Sequence, residues 1–159
     1  MSLTPTPKAV PLNEMSPLLL GLIDEGIDVT FTVTGMSMTP LWYSLRDSVV
    51  LTKCDPLTLK RGDVPLYLRG SDRYILHRIV KVNKDSYCMV GDRQTDIERN
   101  VPKTAVLCVV KGFYRKGKYH DCRSFGYRLY SNIWMMLRPF RKIIFGTWHF
   151  LRKIFKGGK

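Results

Sequence analysis

Residues 28–40 read DVTFTVTGMSMTP, and the first seven of them alternate between polar and apolar side chains. Valine and phenylalanine occupy one face of such a segment, and threonine occupies the other. A period of two predicts a β-strand with one buried face. The strand leads directly into residues 35–40, a glycine-to-proline turn that contains Ser37. The sequence therefore predicts a serine held in a turn at the end of a strand.

Five further segments have strand-like composition and are separated by turn residues. They are residues 47–53, 63–69, 73–82, 86–91 and 105–115. Short strands joined by tight turns predict a mainly β, antiparallel domain over about residues 28–120, after a leader and short helix in residues 1–27 and before a tail in residues 121–159. Pro65 has no backbone N–H to donate, so we expect its strand to be an edge strand or to be bulged there.

The positive charge of the chain is concentrated near its C-terminal end. The 159 residues carry 26 Lys and Arg against 13 Asp and Glu, a formal net charge of +13. Residues 1–102 are neutral, whereas residues 103–159 contain a single acid, Asp121. Such a tail predicts a polyanionic partner, either an anionic lipid surface or a nucleic acid.

The tail also has a helical period. Projected at about 100° per residue, residues 139–156 place most apolar side chains on one arc and the cations Arg141, Lys142, Arg152, Lys153 and Lys156 on the other. This pattern is typical of a helix lying in a membrane interface, so we expect peripheral association with an anionic membrane surface, on a side that the sequence does not specify. The alternatives are that the apolar arc packs on the β domain or that the tail binds nucleic acid, for which the sequence has no motif.

The cysteines and the N-terminal region narrow the class of protein further. Four cysteines without a CxxC pair predict free thiols and no structural zinc site. We also expect no cofactor. The N-terminal residues lack the basic and apolar regions of a signal peptide. No apolar run approaches the roughly 18 residues of a spanning helix, so we expect no transmembrane helix.

Ser37 becomes a candidate nucleophile if a base lies within hydrogen-bonding reach. The chain has three histidines, and His77 lies in the alternating segment at residues 73–82, while His120 and His149 belong to the C-terminal region. Gly35 allows close approach of a substrate, and N–H groups around the serine could form an oxyanion hole.

Five ordered segments resemble the conserved boxes of the signal peptidase I and LexA-like serine peptidases. They are Gly35-Met36-Ser37-Met38-Thr39-Pro40, Asp47-Ser48-Val49-Val50, Lys60-Arg61-Gly62-Asp63-Val64, Leu76-His77-Arg78-Ile79-Val80-Lys81-Val82 and Val90-Gly91-Asp92-Arg93. A histidine stands where bacterial signal peptidases and the repressors carry lysine. The chain therefore resembles the serine–histidine branch, typified by endoplasmic-reticulum and archaeal signal peptidases.

The resemblance implies a serine endopeptidase that cleaves signal- or leader-peptide-like substrates at a membrane surface. It implies Ser37 as nucleophile and His77 as general base, with an acid that orients the histidine. Asp92, Asp96 and Glu98 compete for this role, and we expect Asp92 or Asp96. With an ordinary imidazole pKa of about 6.5, activity is expected to fall as the pH drops through about 6–7.

The residues around the serine, Gly35, Met36, Met38 and Pro40, are the expected substrate-binding residues. The chain departs from the family in having a proline-rich leader in place of an N-terminal membrane anchor, and its 27 residues before the first strand are too few for a DNA-reading domain. Two alternatives stay open: a non-catalytic, membrane-associated peptide-binding module, and a basic nucleic-acid-binding protein.

Overall fold

The computed structural model describes residues 12–147, and it describes side chains from residue 17 onward. The described chain is mainly β and antiparallel, with helices at both ends, which confirms the predicted fold class. The strands are β1 (Val29–Thr32), β2 (Ser48–Thr52), β3 (Pro65–Arg69), β4 (Arg73–Leu76), β5 (Arg78–Val82), β6 (Ser86–Val90), β7 (Glu98–Pro102), β8 (Val106–Arg115) and β9 (Lys118–Asp121). The helices are α1 (Leu12–Asp24) and α2 (Phe125–Met136), with 3-10 turns at Lys103–Ala105 and Arg138–Phe140 and a helical segment over 141–147.

The strands form two sheets. The larger sheet has the order β1-β2-β8-β3-β4, with β9 also paired to β8, and the smaller sheet has the order β5-β6-β7. Strands β1 and β4 are thus the two ends of the larger path, and α1 contacts both of them. This arrangement leaves two strand edges facing the same side of the molecule as the turn that contains Ser37.

The chain crosses from one sheet to the other at His77. The expected single strand over residues 73–82 is wrong, because β4 ends at Leu76 in the larger sheet and β5 begins at Arg78 in the smaller one. Beyond the crossing, the backbone of Ile79 bonds the turn at Gly62 and Asp63, with N···O distances of 2.8 and 2.9 Å. The crossing places His77 between the two sheets, where it is buried.

Apolar side chains form two cores. The first lies among α1, the larger sheet and the turn after β1, and includes Met38, Trp42 and Leu51. The second lies between the sheets and includes Tyr67 and Met89. Removal of these side chains from water is the main contribution to the stability of the fold.

Strand β3 bears out the expectation of a bulge near Pro65. The strand lies between β4 and β8 and is therefore internal, but its register against β8 shifts between Leu66 and Tyr67. Pro65 is the first residue of the strand, a position where the missing N–H is tolerated.

Two strands were not predicted, for a reason visible in their sequences. Only Val101 is buried in β7, and no residue of β9 is buried. Strands that bury little apolar surface have no clear alternation to detect. Their pairing is set by neighbouring strands, because β7 pairs with β6 and β9 forms a hairpin with β8.

Helix α2 packs on the β domain. Ser124 caps its N-terminus by accepting a hydrogen bond from the backbone N–H of Tyr127 at 3.3 Å, and Ser131 and Met135 are buried. Arg141 was expected on the cationic arc, opposite the apolar one and available to lipid headgroups, and that expectation is wrong. Its side chain is fully buried, because its guanidinium donates to the carbonyls of Gly91, Gln94 and Trp134.

The remainder of the expected interfacial helix, from residue 148 on, lies outside the described residues, as does the leader in residues 1–11. None of the helices in the described part of the chain is long and apolar enough to cross a bilayer.

Candidate active site

Ser37 lies in the turn that follows β1, and the chain on both sides of it is anchored in the first core. Val33 precedes it and Met38 and Trp42 follow it, and all three side chains are buried. Ser37 itself is half-buried. Within residues 12–147, the backbone N–H groups of Ser37 and Met38 donate to no hydrogen bond. Unpaired N–H groups beside a nucleophile are suited to stabilise an oxyanion.

A groove of about 230 Å³ opens beside Ser37. Phe31 and Val33 line it from the β1 side, and Ile75 and Leu76 line it from β4. Among the described strands these two are the ends of the larger sheet, so the groove is bordered by backbone groups that pair with no other strand of residues 12–147. Its shape and apolar lining suit an extended peptide.

The expected substrate-binding residues divide into two pairs. Gly35 and Met38 line the groove, with Met38 buried and Gly35 exposed. Met36 is 45% exposed and Pro40 is half-buried, and neither belongs to the groove lining. The structure thus brings Gly35 and Met38 to the groove and leaves Met36 and Pro40 outside it.

The glycine of the Gly91-Asp92 box contacts the backbone of the candidate nucleophile. A Cβ atom on Gly91 would lie 2.6 Å from the carbonyl oxygen of Ser37, a distance that real side chains do not adopt. The same carbonyl accepts a hydrogen bond from the backbone N–H of Arg93 at 2.8 Å. The loop at residues 91–94 therefore fixes the position of the Ser37 peptide, and only glycine fits at its closest point.

His77 is a buried imidazole, 3% exposed. Burial, assisted by the nearby positive charge of Arg69, lowers its pKa to about 4, against the weaker opposing effects of Glu98 and Asp92. The sequence argument assumed an ordinary pKa near 6.5, and that assumption is wrong because the ring is removed from water. His77 is consequently neutral at neutral pH.

The contacts of Nδ1 determine which tautomer His77 adopts. This atom lies 3.3 Å from the hydroxyl oxygen of Tyr67, whose own proton is donated to Glu98. Burial and Glu98 raise the pKa of Tyr67, so it stays a phenol. Only lone pairs of that oxygen are then left for the imidazole, so Nδ1 carries the proton and Nε2 is the free base.

Glu98 is the acid closest to His77, at 3.9 Å between its Oε2 and Nδ1. Although partial burial acts in the opposite direction, hydrogen bonds from Arg69 and Tyr67 lower the pKa of Glu98. One of those bonds joins Arg69 Nε to Glu98 Oε1 at 2.8 Å. Glu98 is therefore ionised, and Tyr67 connects its charge to the histidine.

The expected orienting acids, Asp92 and Asp96, do not contact His77. Asp92 is fully buried and accepts two hydrogen bonds from the Arg78 guanidinium, at 2.9 and 2.7 Å. Asp96 is exposed and has no hydrogen bond or ion pair to any described side chain. Asp92 is committed to a buried ion pair, so the acid at His77 is Glu98.

Sequence reasoning missed Tyr67 and Arg69. Both lie on β3, and their position beside His77 depends on the pairing of β3 with β4, in which Tyr67 is opposite Ile75. In sequence, Tyr67 reads as an ordinary core aromatic of an alternating strand. The one available signal was the two-residue spacing of Tyr67 and Arg69, which places both side chains on the same face of a strand.

Leu76, the residue before His77, lines the Ser37 groove, whereas His77 itself is not part of the lining. No hydrogen bond joins the side chains of Ser37 and His77 in the part of the chain that is described. Nucleophile and base are often farther apart before a substrate binds than during reaction. The arrangement can supply a hydroxyl, a neutral imidazole base and N–H donors.

An exposed apolar surface lies on α2 and the helical segment after it. Large apolar side chains recur at helical spacing along one exposed stripe, with Phe125 and Met136 at 81% and 72% exposure. The other members of this apolar stripe are Leu129, Ile133, Phe140 and Ile143. The exposed cations Arg128 and Lys142 lie on the same elements.

The four cysteines are free thiols. The residues between 12 and 147 contain no cluster of three or more side chains that could hold a metal ion. His120 is exposed and stacks on Phe113, with ring centroids 5.0 Å apart, and His149 lies outside the described residues.

Comparison with known proteins identified no relative of this chain. No family model matches the chain, and no curated protein or solved structure matches it significantly.

Proposed function

We propose that this protein is a serine endopeptidase of the signal peptidase type, which cleaves signal- or leader-peptide-like substrates at a membrane surface. The observation that carries the proposal is the buried, neutral His77, whose Nδ1 proton faces the Tyr67 oxygen and whose Nε2 is a free base. A neutral imidazole one residue along the chain from a groove that contains a serine is suited to activate that serine when a bound substrate brings the two side chains together.

The proposed reaction is acyl transfer. Nε2 of His77 removes the proton of the Ser37 hydroxyl while Oγ attacks a peptide carbonyl carbon. The N–H groups of Ser37 and Met38 stabilise the negative charge that develops on the carbonyl oxygen. His77 then gives its proton to the leaving amine, and water, deprotonated by the same imidazole, releases the acyl group from Ser37. Glu98, through Tyr67, stabilises the imidazolium formed in both steps.

Extended peptides are the proposed substrate class, because strand edges border the groove on both sides. A substrate segment could pair with the free edge of β4 or β1, where main-chain hydrogen bonds supply affinity without regard to sequence. The cavity of about 230 Å³ is lined by Val33, Met38 and Leu76, which favours small or apolar side chains next to the cleaved bond.

The apolar stripe on α2 supports the location at a membrane surface. Its proposed occupant is an anionic bilayer, because the chain from residue 103 on carries 14 basic residues against one acid and Arg128 and Lys142 flank the stripe. A polar protein partner would match the apolar side chains of the stripe less well than lipid does. The helix would lie flat, with Phe125, Leu129 and Met136 turned toward the lipid.

Cleavage of a panel of signal-peptide-like substrates tests the proposal, with anionic vesicles present at about pH 7.5, where the imidazole is neutral. We expect the intact protein to cut after small residues and Ser37→Ala to lose all turnover. Ser71→Ala is the matched control, because Ser71 is exposed in the turn between β3 and β4. With the His77 pKa at about 4, activity should persist at about pH 5 and fall at lower pH. Cleavage by Ser37→Ala would overturn the assignment of the nucleophile.

The second candidate is a non-catalytic peptide-binding module. The observation that favours it is the missing hydrogen bond between Ser37 and His77 among the described side chains. The two functions predict different results for the intact protein and Ser37→Ala. A binding module would retain peptide affinity in both the intact protein and Ser37→Ala and would cleave with neither.

A further inference from the structure

A concave pocket of about 280 Å³ lies between the turn at residues 60–63 and α2, and it shares no lining residue with the Ser37 groove. Four cationic side chains from three chain segments line it, namely Lys60, Arg61, Arg123 and Arg128. All four are exposed, and none forms an ion pair with a described residue. The proposed peptidase reaction uses none of them.

One carboxylate, that of Asp63, also lines the pocket. Its Oδ2 accepts a hydrogen bond from the backbone N–H of Lys60 at 2.7 Å, so it is engaged in holding the turn. Four cations against one carboxylate leave the pocket strongly positive. Cations that converge on a cavity without acidic partners repel one another, and a bound anion removes that repulsion.

The floor of the pocket is polar and rigid. Ser131 and Tyr127 line it, and both accept hydrogen bonds from the buried guanidinium of Arg78, at 2.7 and 3.1 Å. Arg78 is in turn held by Asp92, so the floor belongs to the buried core of the domain. Asn132 adds an amide at the rim. Guanidinium, hydroxyl and amide groups can all donate hydrogen bonds to the oxygens of a phosphate group, and a guanidinium can donate two at once.

The pocket adjoins the apolar stripe. At about 100° per residue, the pocket residues Arg128 and Asn132 lie on the flank of α2 between its buried face and the stripe of Leu129 and Met136. A group bound there would sit beside any apolar surface that covers the stripe. A phospholipid satisfies both features, with its headgroup in the pocket and its acyl chains against the stripe.

We propose that this pocket binds a phosphate group, carried either by an anionic phospholipid headgroup or by a soluble phosphate ester. The site does not rest on the proposed peptidase activity. It predicts that removal of pocket cations weakens phosphate binding far more than removal of the same charge elsewhere.

The test uses the full-length protein and two double variants. Arg61→Gln with Arg128→Gln removes two charges from the pocket, whereas Lys81→Gln with Lys84→Gln removes two from the exposed β5–β6 hairpin of the smaller sheet. One arm measures binding of glycerol 3-phosphate by calorimetry. The other measures co-sedimentation with phosphatidylcholine vesicles that contain or lack phosphatidylglycerol. We expect the pocket variant to bind about tenfold more weakly and the hairpin variant to change less than about twofold.

The two arms distinguish the sources of the phosphate. Selective loss in the vesicle arm alone identifies a lipid headgroup, and selective loss in the calorimetric arm identifies a soluble ester. Equal loss in both variants, or no loss in either, overturns the pocket. Asn132→Asp keeps every cation and adds a carboxylate at the rim, so it should also weaken binding without a change in thermal unfolding. Because neither arm uses cleavage, a protein that binds phosphate and cuts nothing would refute only the peptidase.

Discussion

Protonation of His77 should destabilise the folded protein in mildly acidic solution. The imidazole is 3% exposed, and burial and Arg69 lower its pKa to about 4. In the unfolded chain the same group has its ordinary pKa near 6.5. Between these two values the unfolded state binds a proton that the folded state does not bind. Stability contributed by neutral His77 is therefore complete above about pH 6.5 and is lost as the pH falls toward about 4.

The expected size of the effect follows from the two pKa values. Proton linkage between a folded-state pKa of about 4 and an unfolded-state value of about 6.5 removes roughly 2 kcal/mol between about pH 7 and pH 5. Glu98 and Asp47 have lowered pKa values, so their contributions are lost only at more acidic pH. The loss of folding stability at about pH 5 therefore measures the protonation of His77. It corresponds to a fall in Tm of about 4–8 °C for a chain of this length.

Urea unfolding at about pH 7 and pH 5 measures this loss, with His77→Gln as the test and His120→Gln as the control. We expect His77→Gln to lose much less stability than the intact protein over this interval, and His120→Gln to follow the intact protein. An NMR titration gives a direct second reading, in which the His77 ring signals should not shift above about pH 5. Ring signals that titrate near pH 6.5, or equal losses in all three proteins, would refute the buried neutral base.

Two further outcomes follow from other contacts. Gly91→Ala places a Cβ 2.6 Å from the Ser37 carbonyl, so we expect Ser37 to react roughly 10- to 100-fold more slowly with a fluorophosphonate probe. Gly126→Ala, whose Cβ would have nothing within 4 Å, should react at the original rate, and equal rates in both variants would contradict the argument. Met136→Glu puts a charge into the apolar stripe and should weaken binding to anionic vesicles about tenfold. Leu57→Glu, at a position 67% exposed outside the stripe, is its control, and an equal effect of both would place the membrane contact elsewhere.

The larger part of the fold could be predicted because its strands bury one face. Alternation over residues 28–34 predicted β1, and the same signal found β2, β3, β6 and β8. It failed at residues 73–82, because an alternating pattern records which side chains are buried but not which sheet buries them. His77 satisfies the pattern while the chain changes sheets. Strand β7 had no apolar pattern to detect, since its position depends on pairing with β6.

The candidate site was predictable only in part, for a related reason. Ser37 and His77 came from ordered sequence boxes. The choice among three acids depends on distances between strands, which spacing along the chain does not determine. Asp92 follows Gly91 and therefore seemed suited to orient His77. In the structure it instead accepts hydrogen bonds from the guanidinium of Arg78, the residue after His77. Adjacent residues of an extended chain point to opposite sides. His77 and Arg78 therefore select different acids, Glu98 and Asp92.

Contacts of Trp134 and Arg141 explain why the C-terminal helical region, outside the predicted β domain, matters to the site. The carbonyls at residues 91–94 accept hydrogen bonds from Trp134 at 3.0 Å and from Arg141 at 3.1 and 2.8 Å. The same loop donates to the Ser37 carbonyl and contacts it through Gly91. If the apolar stripe lies in a membrane, as proposed, these contacts would also hold the loop on which the position of Ser37 depends. A nucleophile fixed from the lipid side would be ordered where its proposed substrates are found.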